Sequence, residues 1–385
     1  VPRFDDATVS SRPDTGSDRS VYGPTGRGTA NRRRSGQIAV ETTQGGSGLR
    51  PEVVTEVHRV ILGWYRRQGR DLPWRHTRDP YAILVAETML QQTQVDRVRP
   101  KWHAFLALFP TLADLAAAPR AEVIRAWAGL GYNRRAVGLH EIARTVTERG
   151  DATLPSTIDG LRALKGIGPY TAGAIACFAF GLPEPILDTN VRRVLDRIFQ
   201  VSIPTGVNAD RHGWAIARNV LPVAEDVYDW NQALMDLGAT VCVARAPRCG
   251  QCPVAAHCVA FMSQPPVPML PGFGDDLVPL SIAEAVKAPA ALVAETREAY
   301  RPVSVKRSPE RFEGSRRWFR GRAVAALRAL PTGGSIAVDA LGPLVDPAYE
   351  ASSRRAWLLD LLGDLTRDGL VVVEGDGEAS VARLA

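Results

Sequence analysis

The sequence predicts a mainly helical protein, a core of about 210 residues followed by a small domain of helices and a hairpin. Three observations carry this. Apolar residues recur at helical spacing from Pro51 to about residue 262, alternating strand-like runs are almost absent there, and turns such as Phe109-Pro110-Thr111 and Gly181-Leu182-Pro183 separate the segments. The 385 residues are 45% hydrophobic and 23% charged, which excludes a collagen-like or wholly disordered chain. No run of eighteen apolar residues occurs, so no membrane-spanning helix is expected. No apolar h-region stands near the start, so no secretory signal is expected either.

Residues 1–50 are rich in Ser, Thr, Gly, Pro and Arg, and are expected to form a disordered tail. Arg32-Arg33-Arg34 within it reads as a solvated charge run. The first helix follows, with Val53, Val54, Val57, Val60, Ile61, Trp64 and Tyr65 on one face. After the core, residues 263–310 read as a proline-rich linker with one short helix around Ile282–Ala288. In residues 311–385, Arg322–Leu330, Val338–Leu344 and Ser352–Arg367 read as helices. Leu370–Glu374 and Ala379–Leu384 read as strands around Gly375-Asp376-Gly377. Three helices and then a hairpin is the order of a winged helix.

The net charge is +6, and 43 arginines stand against four lysines. Guanidinium forks suit phosphates and base edges; an arginine-rich genome gives the same excess. Five cysteines, four of them bunched, argue against a secreted disulfide scaffold and for a metal site in a reducing compartment.

Four motifs carry chemistry. Cys242, Cys249, Cys252 and Cys258 lie within seventeen residues broken by Pro247 and Pro253, so four thiolates can close round one centre. Spacing leaves zinc and an iron–sulfur cluster both open. Cys177, in an apolar run, reads as a buried small hydrophobe. Leu164-Lys165-Gly166-Ile167-Gly168-Pro169 joins two helices, and the amides opening the second form an anion site suited to a DNA phosphate beside Gly166 and Gly168. An ordinary helical turn is the plainer alternative. Glu87 falls on the face of Ile83, Leu84 and Leu90, where burial should raise its pKa and make it a proton donor near neutrality. A core carboxylate tied to a backbone or arginine partner is the other reading. Asp188 precedes a helix and reads first as its N-cap. Glu87 and Asp188 together form a candidate acid and anion pair for breaking a glycosidic bond.

These residues resemble the A/G-specific adenine DNA glycosylases, the MutY type of the endonuclease III superfamily. Asp71-Leu72-Pro73-Trp74-Arg75, Glu87-Thr88-Met89-Leu90-Gln91-Gln92-Thr93, Gly129-Leu130-Gly131-Tyr132, Leu187-Asp188-Thr189-Asn190-Val191 and Asn231-Gln232-Ala233-Leu234-Met235-Asp236 carry the likeness, over about residues 51–262. The resemblance implies a two-lobed helix–hairpin–helix core and a [4Fe-4S] cluster on the four cysteines. It implies a double-stranded DNA partner whose adenine, mispaired with guanine or 8-oxoguanine, is flipped out and excised. Glu87 would protonate the base, Asp188 steady the sugar cation, and Asn190 hold the water. Tyr170 stands where bifunctional relatives carry a Schiff-base lysine. Arg70, Leu72, Trp74, Arg75 and Gln232 would line the adenine pocket, and Gln92 and Tyr132 would meet the gap and the opposite purine.

Three departures stand out. Asn133 occupies the place of a second tyrosine, Thr189 that of a glycine, and the C-terminal part does not look like a Nudix-type domain. Phe312-Glu313-Gly314-Ser315-Arg316-Arg317, ahead of the winged helix, reads as a DNA-contacting loop or a linker turn. A monomeric enzyme of the cytoplasm, associated with the nucleoid, is the expectation. The alternatives are a thymine or uracil mismatch glycosylase and a non-catalytic metal-containing DNA-binding regulator.

Overall fold

The computed structural model describes residues 49–200, 208–263 and 312–385. Nearly all of the expected tail, and the linker with its short helix, lie outside these residues. The core carries twelve helices among the described residues: α1 (Pro51–Gln68), α2 (Pro80–Leu90), α3 (Val95–Leu108), α4 (Leu112–Ala117), α5 (Arg120–Ala126), α6 (Arg134–Glu148), α7 (Ile158–Arg162), α8 (Pro169–Phe178), α9 (Thr189–Phe199), α10 (Ala209–Asn219), α11 (Val227–Thr240) and α12 (Val259–Met262). No described helix is long and apolar enough to cross a membrane.

The helices form two groups. In one, α2 packs on α3, α6 and α8, α6 packs on α4 and α5, and α7 packs on α8. In the other, α1 returns from the start of the core to pack on α11, and α9 touches α10, α11 and α12. Contact between α11 and α8 joins the groups, and one apolar core runs through both. The two-lobed helical core expected from the sequence is therefore present.

The C-terminal part forms α13 (Arg316–Arg328), β1 (Ile336–Ala337), α14 (Val338–Val345), α15 (Ala351–Arg367), β2 (Val371–Glu374) and β3 (Val381–Leu384). The sheet is antiparallel, in the order β1-β3-β2. Two details depart from the sequence reading. Helix α13 starts at Arg316, not near Arg322, because the Ser315 hydroxyl accepts the Trp318 N–H and caps a polar first turn with little apolar periodicity. Strand β1 has two residues, too few to alternate visibly.

This domain has its own apolar cluster, and Ile124 of the helical core is drawn into it. Ile124 of α5 is fully buried among Leu327, Leu341, Leu361 and Leu384 of the C-terminal cluster. Arginines then stitch the seam. Arg125 donates to the carbonyls of Leu330 (3.1 Å) and Pro331 (3.0 Å). Arg328 donates from Nε to the Ile124 carbonyl at 3.0 Å and from Nη2 to Asn133 Oδ1 at 2.9 Å. Burial lowers the Arg328 guanidinium to about 10. Asn133, the departure from a second tyrosine, is thus a docking point for α13.

Ile124→Ala removes the apolar atoms that α5 contributes to this seam. It should lower the unfolding free energy by about 2–5 kcal/mol in a urea titration. An unchanged midpoint would show that Ile124 does not tie α5 to the C-terminal cluster.

Candidate active site

Helix α2 is enclosed rather than one-faced: every residue from Tyr81 to Met89 is buried. The expectation of a buried Glu87 holds, but the reason is that the whole helix is core. Glu87 is 5% exposed. Burial pushes its carboxyl up to about 7; the Tyr170 hydroxyl pulls it down by hydrogen bonding, the Asp188 charge pushes it up again, and the Arg75 charge opposes that. Burial, Glu87 and Asp188 also hold the Tyr170 hydroxyl well above its ordinary range. Three of the residues picked from sequence therefore meet at one place, Glu87 and Tyr170 from one lobe and Asp188 from the other.

The approach of the lobes depends on backbone packing. A Cβ on Gly173, three residues after Tyr170, would stand 2.7 Å from the Pro185 carbonyl oxygen. Only glycine lets the segment leading to Asp188 lie against α8. Asn231 of α11 pins the same segment, donating to the Glu184 carbonyl at 2.9 Å and accepting from the Ile186 N–H at 3.4 Å. Its Nδ2 also reaches the Cys177 sulfur at 3.3 Å, so that buried cysteine has a polar neighbour as well as an apolar shell.

Asp188 is the N-cap of α9, its Oδ1 accepting the Val191 N–H at 2.6 Å. Its other oxygen accepts from Asn190 Nδ2 at 3.0 Å. Thr189 points outward and is exposed, so the β-branched residue does not crowd the turn. From Asn190 a polar row runs along α9 at helical spacing. Arg193 donates to Asn190 Oδ1 (2.8 Å), the Gly238 carbonyl (2.8 Å) and the Cys242 carbonyl (2.9 Å). A Cβ on Gly238 would meet Asn190 Cβ at 2.9 Å, which fixes how closely α11 approaches this row. Arg197 continues it, donating to Cys242 Sγ at 3.3 Å and to the carbonyls of Val243 and Ala244.

The four cysteines form a set suited to a cluster. Burial, countered by the Val254 amide and helped by the charges of Cys242, Cys258 and Cys249, raises the Cys252 thiol to about 11, so the sulfurs lie near one another. Backbone amides of Val254 and of Phe261 and Ala260 point at Cys252 and Cys258. Among the described residues no three His, Cys, Asp or Glu side chains close tightly round a single ion. A four-iron, four-sulfur cluster would take the four thiolates round a larger body than a single ion, and the amide and Arg197 N–H groups would offset its negative charge.

In the hairpin Ile167 is buried and anchors the turn, while Lys165, Gly166 and Gly168 are exposed. Gly166 has φ of 102°, and Gly168 caps α8 with nothing within 4 Å of where a Cβ would stand. The first amides of α8 therefore face open space.

Around Glu87 the residues read as a base pocket divide. Leu72, Trp74 and Gln232 are buried, and Trp74 meets Trp102 edge-on. Gln232 makes no side-chain hydrogen bond among the described residues. Arg75 grips Asp236 with two bonds of 3.0 and 2.7 Å, and Arg70 adds bonds of 2.7 and 2.8 Å to the same carboxylate. Burial would raise the Asp236 carboxyl, but Arg75 and Arg70 outweigh it and hold it below its ordinary value. Asp236, within a motif but given no role from sequence, is the post that orients both arginines. Its signal was an acid set among Leu234, Met235 and Leu237 in the apolar half of α11.

Gln92 (φ 56°) and Tyr132 (φ 46°) hold left-handed backbone, and both are exposed. Arg135 ties their two loops together. It donates to the carbonyls of Thr88 (2.9 Å), Met89 (2.8 Å) and Gln91 (2.6 Å), and to Leu130 and Gly131 (both 3.2 Å). The cation also caps the C-terminal end of α2, where its charge suits the helix dipole. Sequence reading missed Arg135 because a second arginine beside Arg134 looks like surface charge.

A helical hairpin, a two-lobed core with an acid and a carboxylate across it, and a four-cysteine loop define a base-excision DNA glycosylase. Residues 85–218 match the HhH-GPD superfamily of base excision DNA repair proteins, and residues 242–258 match the iron–sulfur binding domain of endonuclease III. The adenine DNA glycosylase of Mycolicibacterium smegmatis is 39% identical over 320 residues, 83% of this chain and 96% of that protein. That of Mycobacterium tuberculosis is 35% identical over 318 residues, 82% and 93%. The human adenine DNA glycosylase is 42% identical over 217 residues, 54% of this chain and 40% of that protein. A solved thermostable thymine-DNA glycosylase superposes with a TM-score of 0.52 at 31% identity, covering 55% of this chain and 97% of that one. The chain belongs to the adenine DNA glycosylase family, and its cysteine loop is an iron–sulfur site, not a zinc site.

Glu87→Gln gives a test of the burial argument. Below the unfolded value of 4.5 both side chains are neutral and stability should match. As pH rises from 4.5 to about 7 the unfolded chain releases the Glu87 proton while the native chain keeps it, so native stability falls across that window and levels off above it. The melting temperature of the variant should therefore gain on the unsubstituted chain between pH 4.5 and about 7 and hold that gain above it. Parallel curves would contradict a raised native pKa.

Proposed function

We propose that the chain is a monofunctional glycosylase, acting as a monomer on double-stranded DNA, that excises adenine mispaired with 8-oxoguanine or guanine. The observation that carries this is Glu87, a buried acid near pH 7 beside the capped Asp188. In this reading residues 51–262 form the catalytic core and residues 311–385 a winged-helix-like domain. Gly166 and Gly168 bring the hairpin amides to a DNA phosphate, and the flipped adenine enters between the lobes.

Glu87 gives its proton to adenine N7. The bond between the base and C1′ then breaks with its electron pair leaving on the base, and the sugar becomes an oxocarbenium ion. Asp188 faces that cation, oriented by Val191 N–H and Asn190 Nδ2. Asn190 holds the water that adds to C1′, and the Glu87 carboxylate left by the first step takes that water's proton. Arg75 and Arg70, fixed by Asp236, line the base with Leu72, Trp74 and Gln232, while Gln92 and Tyr132 meet the gap and the opposite purine. Tyr170 has no amine, so no imine forms with the sugar. Lys165 is exposed on the hairpin, before the turn, and does not replace it. Cys242, Cys249, Cys252 and Cys258 would hold the iron–sulfur cluster, which would supply a covalent staple for the loop on which Arg193 and Arg197 rest.

Single-turnover assays on A:8-oxoguanine, A:G, A:C, T:G and U:G duplexes test the proposal. Adenine release is expected, without strand cleavage and with a rate that falls above pH of about 7. Glu87→Gln should cost about a hundred- to ten-thousand-fold in rate while duplex binding persists. Release of thymine or uracil but no adenine would favour the mismatch alternative. Tight binding without any base release would favour the regulator.

A further inference from the structure

His140 of α6 is a buried polar residue that the excision chemistry does not use. It is 3% exposed, and neither ring nitrogen has a hydrogen bond among the described residues. A neutral imidazole has one donor and one acceptor to satisfy, and leaving both unpaired inside a protein is costly. The ring lines a cavity of about 550 Å³ where α4, α5 and α6 meet strands β2 and β3. Arg120 of α5, Arg144 of α6 and Arg383 of β3 line it too, and the other walls are alanines and Val372, with no aromatic face. Burial and then the Arg120 charge hold the imidazole below its ordinary pKa; Glu141 and the Ala116 backbone oppose them, and Arg144 adds to the depression. Two of the three guanidiniums are therefore felt at the ring.

A second hollow, of about 260 Å³, shares Arg120 and Arg383 with the first. Arg125 lines it, and the Nη1 of that arginine is buried without a partner. The three arginines of the larger cavity do have carboxylate partners: Arg120 pairs with Glu141, Arg144 with Glu148 at 3.0 Å and Arg383 with Glu374 at 2.6 Å. None of these carboxylates lines the cavity, and each is more exposed than its arginine. Ion pairs so open to water are weak, and a guanidinium with five N–H donors keeps some free beside one carboxylate.

The cavity also looks away from the hairpin. A Cβ on Gly166 would stand 3.7 Å from Ile142 Cδ1, so Ile142 marks the side of α6 that faces that turn. His140 and Arg144 are each two residues from Ile142 and lie on the opposite side of the helix. DNA held by the hairpin amides would not reach them.

We propose that this cavity binds a small phosphate-bearing anion, held by Arg120, Arg144, Arg383 and an N–H of His140. Phosphate oxygens accept from guanidinium forks arriving from several directions, which suits donors carried by three separate elements. Walls without an aromatic face offer nothing for a nucleobase to stack on. An anion bonded to α5, α6 and β3 together favours the closed seam between the helical core and the C-terminal domain, so its binding stabilises the whole chain. The proposal does not rest on adenine excision.

The test uses the full chain, with calorimetric titration, melting curves and the ring C–H resonances of His140 assigned by difference from His140→Gln. The probes are inorganic phosphate, pyrophosphate and ribose 5-phosphate, added at constant ionic strength in chloride. Saturable binding of at least one probe is expected, with a rise in melting temperature and a shift of the His140 resonances over the same concentrations. Arg144→Ala and Arg383→Ala should each weaken binding by about tenfold. Arg67→Ala, an exposed arginine of α1, should leave it unchanged. Binding equally strong in the Arg144 and Arg383 variants would mean an adventitious ion only and overturn the proposal. So would the lack of saturation with every probe. Displacement of the bound probe by duplex DNA, with the same His140 shift produced by the duplex alone, would make the cavity a DNA contact and overturn it as well.

Discussion

A carboxyl group in the middle of a helix buried on all sides has to keep its proton or find a cation, because an isolated charge there is costly. Glu87 sits in that position, and its closest polar company is a hydroxyl and a second acid. The rest of the molecule can be understood as the means of holding this arrangement. Helix α2 is fixed at its C-terminal end by Arg135, Trp102 donates to the Ala82 carbonyl at 2.9 Å, and α8 brings Tyr170 alongside. The other lobe delivers Asp188 by a path that Gly173 permits and Asn231 braces.

The iron–sulfur loop lies at the far end of the same chain of contacts. Asp188, Asn190, Arg193 and the Cys242 carbonyl are joined bond by bond along α9, and Arg197 holds the loop beyond. The cysteines are therefore more than a staple for their own loop: the geometry of the loop sets where Arg193 stands, and Arg193 sets Asn190. The C-terminal domain makes a comparable connection on the other side. Through Ile124, Arg125 and Arg328 it is built into α5 and the loop of Tyr132, which makes it part of the catalytic body rather than an appendage.

Much of this was legible in the sequence because motif residues are close along the chain. Helical periodicity gave the core, and local spacing gave the hairpin, the cap at Asp188 and the cysteine loop. Glu87 was found for an incomplete reason, since one apolar face was visible but the enclosure of α2 by other helices was not. What stayed hidden depends on distant partners. Asp236 becomes meaningful only when Arg70 and Arg75 arrive more than 160 positions away. Arg135 and Arg193 look like ordinary surface cations until their carbonyl partners are assembled. The stack of Arg317 on Tyr132 joins segments whose neighbourhood no local pattern encodes.

The central claim is that Glu87 carries its proton at neutral pH because it is buried. A carboxyl-region titration of isotope-labelled chain, followed by difference from Glu87→Gln, observes that proton directly. The account predicts an apparent value near 7 for Glu87. A transition at the ordinary glutamate value of 4.5 would contradict it, and with it the division of labour between Glu87 and Asp188.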